Sequence, residues 1–152
     1  MLNISTTAKN DPVRVPLGGA AALFVRRALG SDEQAAEAAA YRLVAALRGA
    51  GDEPGLAEYG LTIDDEAATS DAENDYLGFK NVELAMRTVS AVEGVAIDGE
   101  NAPTPSRRLF ALLFREPRCL RAFLSIAGAD LYERNRLGNG SASSQPGAPP
   151  AA

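Results

Sequence analysis

The chain of 152 residues contains no histidine and no tryptophan, a single cysteine, two methionines and only 6% aromatic residues. Each scarcity removes a class of function. Without histidine, the commonest general base, the Ser-His and Cys-His nucleophile pairs and the commonest transition-metal ligand are missing together. The lone thiol, Cys119, excludes an intrachain disulfide, and no CxxC or Cys/His grouping is present from which to build a zinc site. Cys119 lies near Arg118 and Arg121, whose charges favour a thiolate, but with no base to pair with it a small buried hydrophobe is the expectation. No stretch approaches the roughly 20 apolar residues of a spanning helix. Residues 1–12 lack the basic start and apolar core of a signal peptide, so no membrane association and a reducing, cytoplasmic setting are expected.

Charge of one sign is also in short supply. With 20 acidic against 15 basic residues, the net charge of -5 repels a phosphate backbone, and nucleic acid is not an expected partner. From Asp52 to Asp75 the chain has no Lys or Arg at all. The carboxylates Asp64-Asp65-Glu66 in that segment lack the alternating acidic spacing and turn glycine of a calcium loop, so a solvated loop is expected in preference to a metal or small-molecule site. Gly18-Gly19 completes neither GxGxxG nor GxxxxGK[ST]. No cofactor is implied, and a non-enzymatic protein is expected.

What is present predicts an α+β fold, predominantly helical, with an N-terminal β-hairpin packed on about four helices. Residues 1–12 read as a flexible arm, 13–137 as a single globular domain and 138–152 as a disordered tail. That tail carries no charge, is biased to Gly, Ser, Ala and Pro, and has too little apolar surface to offset its own ordering. Val13, Val15 and Leu17 alternate with Arg14 and Pro16 before Gly18-Gly19, and Leu23, Val25 and Arg27 then alternate with Phe24 and Arg26, which is a hairpin pattern with Pro16 suited to an edge strand. Ser31 with Gln34 reads as a capping box opening a helix to about Arg48, with Ala36, Ala39, Ala40, Leu43, Val44 and Leu47 on its inner stripe. Leu56, Tyr59, Leu61 and Ile63 are candidates to anchor short turns of the acidic segment. A central helix is predicted from Asp75 to Val92 on the recurrence of apolar residues. Ser106 is the expected cap of a short helix apolar nearly all round, Leu109 to Phe114, and Pro117 restarts a last one with Leu120, Phe123, Leu124, Ala127, Leu131 and Tyr132 on one stripe, reaching about Arg136.

The C-terminal third is locally basic: Arg107, Arg108, Arg115, Arg118, Arg121, Arg134 and Arg136 face only Glu116, Asp130 and Glu133. Three readings stay open. The arginines match the acidic segment within the molecule, or lie on a solvated helix surface, or frame a groove for an acidic helical partner, in which case Arg115, Arg118, Arg121 and Phe123 are the candidate partner-binding residues.

The run Val92-Glu93-Gly94-Val95, then Asp98-Gly99 with Pro103 and Pro105, then Leu109 to Phe114, then Phe123 and Tyr132 before Asn139-Gly140-Ser141, resembles a pattern in small tail assembly chaperones of long-tailed bacteriophages. There a helix ends in a Trp-Glu-Gly-Val-like turn, followed by an acidic-Gly-Pro loop and a helix with a Leu-Leu pair. Here Ala91-Val92 stand in place of the aromatic, and the acidic segment is longer. The resemblance implies a non-enzymatic protein of the host cytoplasm that binds the helical tape measure protein and helps recruit the tail tube protein. A structural virion protein of the tail or head-tail junction is the alternative, and a metal or small-molecule binder using the acidic segment a more distant one.

Overall fold

A computed structural model describes residues 10–51, 53–61 and 72–128. The expected tail 138–152, most of the arm, Ile63, the Asp64-Asp65-Glu66 cluster, Leu131 and Tyr132 all lie outside them. The fold is α+β, as expected, with a small antiparallel sheet and five helices among the described residues.

Strands β1 (Val13–Gly18) and β2 (Ala21–Val25) form the predicted hairpin. Val13 faces Val25 and Val15 faces Leu23, with a bulge between Pro16 and Gly18 leading into the turn. Gly18 and Gly19 take φ of 118° and 57°, a region that costs glycine little. Pro16 does sit on an edge strand, because the sheet order is β1-β2-β3. Ala22, Leu23 and Val25 are fully buried, the environment of a central strand with helices against it.

Helix α1 (Gly30–Leu47) begins earlier than the sequence predicted, with Leu29 and not Ser31 at its N-cap. The Asp32 carboxylate, at the third helical position, reaches back to accept the Leu29 N–H at 2.8 Å, while Ser31 already lies inside the first turn and cannot act as the N-cap. The stripe Ala36, Ala39, Ala40, Leu43 and Leu47 is buried and Val44 half-buried. A short α2 (Glu53–Ala57) follows, with Leu56 and Tyr59 anchored in the core as expected and Leu61 half-buried.

The predicted central helix needs correction. Helix α3 spans Ala72–Thr88, and residues Val89–Glu93 form strand β3, which pairs with β2 and turns the hairpin into a three-stranded sheet. The misreading has a physical cause. Val89 faces Val25 while Ala91 faces Phe24, so Ser90 is an extra residue in a β-bulge. The bulge brings both Val89 and Val92 inward, and their separation by three imitates helical spacing. At Gly94, with φ of 64°, the backbone passes so close to the Ala20 carbonyl that a Cβ would collide with it. Beyond it β4 (Ala96–Ile97) and β5 (Glu100–Asn101) make a miniature hairpin whose Asp98-Gly99 turn has positive φ at both residues, the type I′ geometry that Asp-Gly favours.

Helix α4 (Arg107–Leu113) is capped by Ser106, whose Oγ accepts the Leu109 N–H at 3.1 Å, as predicted. Helix α5 (Pro117–Ala127) has Pro117 in its first turn and lies against β1, β2 and α3. Its Ala127 carbonyl accepts the Ala28 N–H at 2.9 Å. Cys119 is buried, and burial raises its thiol pKa. Among the described residues no helix is long and apolar enough to cross a membrane.

One ionic node ties these elements together. Asp32, 3% exposed, receives Arg26 in a two-pronged bond at 2.7 and 3.0 Å and Arg87 at 3.1 Å. Arg26 in turn donates its side chain to the Arg87 carbonyl at 2.8 Å and its backbone N–H to the Thr88 carbonyl at 3.0 Å, satisfying carbonyls at the end of α3. The Arg26 hydrogen bonds hold the Asp32 carboxyl well below the usual carboxylate range, with Leu29 N–H and Arg87 adding to the effect against the opposing cost of burial. Because the folded-state pKa is depressed, the contribution is complete above the ordinary carboxylate pKa of about 4 and drains away as pH falls through the folded value. Asp32→Asn is expected to cost about 1.5–3 kcal/mol at neutral pH, the loss of charge-assisted hydrogen bonds to arginines that themselves keep contact with water. In thermal melts between pH 7 and pH 2, the variant should lose less stability on acidification than wild type.

Candidate functional site

Helix α4 borders an open groove at the surface. Its run Leu109 to Phe114 was expected to be buried nearly all round, yet only Leu109 and Phe110 are; Ala111, Leu112, Leu113 and Phe114 are half-buried. The exposed side of this helix forms one wall of an open groove of about 890 Å³. Leu112 and Phe114 of that wall face Phe79 and Val82 of α3, and Leu120 at the start of α5 closes one part of the floor. A concave, mostly apolar site of this size falls in the range of ligand-binding clefts, about 300–1,000 Å³.

The groove is held in shape by a second buried ionic cluster. Glu83 of α3, 7% exposed, accepts the Tyr59 hydroxyl at 2.5 Å and a two-pronged bond from Arg107 at 2.7 and 3.0 Å. Arg107 also reaches Glu58 at 2.7 Å, so the start of α4, the middle of α3 and the turn after α2 meet at one guanidinium. Burial is the chief reason the Tyr59 hydroxyl pKa is pushed well above its ordinary value, followed by its bond to Glu83. The Glu83 bond likewise raises Arg107. Tyr59 packs edge-on against Phe79 with ring centroids 5.0 Å apart. With every partner satisfied, this cluster is a brace for the α3/α4 angle and has no free base or nucleophile to offer.

Two arginines stand at the groove, Arg108 and Arg115. Among the described residues Arg108 makes only a 3.8 Å contact with Asp98, both side chains being mostly exposed, and such a pair contributes little. Arg115 is exposed and has no ion-pair partner among the described residues. The opposite wall carries Asn74, Asp75 and Asn81.

Of the residues expected from the sequence to bind a partner, only Arg115 lies at this groove. Arg118 and Arg121 are exposed on α5 away from it, Arg118 beside Glu116 at 3.6 Å. Phe123 is fully buried and stacks on Phe114 with centroids 5.0 Å apart, so it belongs to the core and offers no surface to a partner. Arg108 went unsingled in the sequence, although its position seven residues before Arg115, bracketing the apolar run, is the pattern that marks it. The Arg107–Glu58 bond is an intramolecular match between basic and acidic segments.

Among the described residues no group of three or more His, Cys, Asp or Glu side chains is placed to hold a metal ion. The two faces of α4 should respond differently to truncation. Phe110→Ala is expected to destabilise by about 3–5 kcal/mol, as for a fully buried aromatic, whereas Leu112→Ala, which faces the groove, should cost about 1 kcal/mol or less in urea unfolding. The chain matches no family model, no curated protein and no solved structure, so its function has to be reasoned from these residues.

Proposed function

We propose that this protein is a non-enzymatic tail assembly chaperone of a long-tailed bacteriophage, working in the host cytoplasm. It holds an amphipathic helical segment of the tape measure protein in the groove between α3 and α4, keeps that protein soluble and helps bring tail tube subunits to it. The observation that carries the reading is the groove itself: half-buried apolar side chains on a helix braced from behind, with arginine at the edge. This is the geometry of helix-in-groove recognition, where the apolar stripe of a partner helix fills the floor and its polar flanks meet the rims. The phage assignment rests on the resemblance of the Glu93-Gly94-Val95 turn, the Asp98-Gly99 loop and the Leu112-Leu113 helix to those chaperones.

The mechanism needs no chemistry. A tape measure helix exposes apolar surface before the tail tube encloses it, and covering that surface lowers its tendency to self-associate. Binding must also be reversible, which suits a shallow groove better than a closed cavity. Co-expression with the tape measure protein of the same genome is expected to raise the soluble fraction of that partner, and Leu112→Asp, which places a charge in the apolar floor, is expected to abolish the effect without unfolding the protein. No change in partner solubility with wild type overturns the proposal, as does finding the protein as a stoichiometric component of purified particles.

A further inference from the structure

A second, smaller cavity of about 210 Å³ opens between α1 and the segment around α2, and it shares no lining residue with the groove. Its charged groups are Arg42 of α1, Glu58, Glu83 of α3 and Arg107 of α4, and Leu43 and Pro54 add apolar wall. The four charges are not used alike. Glu83 is buried and holds the Nε and Nη2 edge of Arg107 by two bonds, whereas Glu58 meets Nη1 through one bond of 2.7 Å from a side chain that is 58% exposed. Such an exposed contact contributes little and is readily given up. Arg42 is exposed and has no ion-pair partner among the described residues. With Glu58 turned out to water, two guanidiniums face one carboxylate, and the cavity is left with a single net positive charge.

We propose that this cavity is a binding site for a small monocarboxylate, whose carboxylate takes the place of Glu58 on Arg107 Nη1 and meets Arg42 on its other side, with its short hydrocarbon body against Leu43 and Pro54. The Glu58–Arg107 bond shows that a carboxylate fits this guanidinium edge while Glu83 stays bonded to the other. Guanidinium suits the group because its planar fork matches a carboxylate. Charge selects the valence of the ligand. One negative charge balances the cavity, whereas a second would lie beside the buried Glu83 with no cation left to meet it. Size sets the rest: clefts for drug-sized molecules run about 300–1,000 Å³, so this smaller one admits a single compact group. Neither this site nor its test depends on what the groove between α3 and α4 binds.

The probe is sodium propionate, titrated into the full chain at neutral pH with ionic strength held constant by sodium chloride, and followed through backbone amide shifts in NMR. Wild type is expected to show saturable shifts at Leu43 and Glu58 with Leu112 unmoved, and propionamide, the uncharged counterpart, is expected to cause none. Arg42→Gln should abolish saturation without changing the melting temperature of the unliganded protein, since Arg42 has no ion pair there to lose. Glu58→Gln should bind propionate about two- to fivefold tighter, because the competing carboxylate is gone. A residue that merely shaped the cavity would weaken binding when altered. Phosphate and succinate, which carry more charge, should bind more weakly than propionate. Absence of saturable shifts overturns the site, as do equal responses to propionate and propionamide or an unchanged affinity in Arg42→Gln. Weaker binding in Glu58→Gln overturns the exchange with Glu58, and tighter binding of phosphate overturns the assignment to a monocarboxylate. Shifts confined to Phe79 and Leu112 would put the anion in the groove and overturn the proposal.

Discussion

The carboxylate of Asp32 is the point on which the architecture turns. A single charged group, almost out of contact with water, receives a guanidinium from the end of β2, another from the end of α3 and the backbone N–H that opens α1. Taking the Asp32 carboxylate out of solvent is costly, and the arrangement is tolerated because two partly exposed guanidiniums and a backbone N–H bond to it. Its value lies less in net stability than in position. The Arg26 side chain and backbone engage the last carbonyls of α3, where the chain stops being helix and becomes β3 with no intervening loop.

From that junction the rest follows. β3 pairs with β2, so the hairpin gains a third strand. The chain then turns at Gly94, against the Ala20 carbonyl, and passes through the Asp98-Gly99 hairpin to the Ser106 cap. Helix α4 is delivered to α3 at a place where Glu83, which also accepts the Tyr59 hydroxyl, receives Arg107. The first ionic node thus sets where α3 ends, and the second sets how α4 leans on it. The groove lies between α3 and α4, lined by Phe79 and Val82 on one side and Leu112 and Phe114 on the other.

Much of this was legible in the sequence and some was hidden for definite reasons. Alternation around Gly18-Gly19 revealed the hairpin, Ser106 revealed its cap, and the Ala36-to-Leu47 stripe revealed the inner face of α1. Strand β3 was hidden because a bulge at Ser90 put Val89 and Val92 at helical spacing. Ser31 concealed Asp32, since both belong to the same kind of capping signal and only the fold shows which one has arginines beside it. The Asp98-Gly99 turn was visible as residues, but strands of two residues give no alternation to read. The run Leu109 to Phe114 announced an apolar helix without saying which side lay open, and so Phe123, a core residue, was grouped with a surface that Arg108 in fact shares with Arg115.

The central claim is that the outer face of α4 and the facing turns of α3 are where a helical partner is held. Amide hydrogen exchange of the protein, measured with and without the tape measure protein of the same genome, tests it most directly. Slower exchange at Arg107–Leu113 and in the α3 turns around Gly78 to Val82, with β1 and β2 unchanged, is the result this account predicts. Complex formation with protection confined to the sheet or to the Arg118 and Arg121 face of α5 would contradict it.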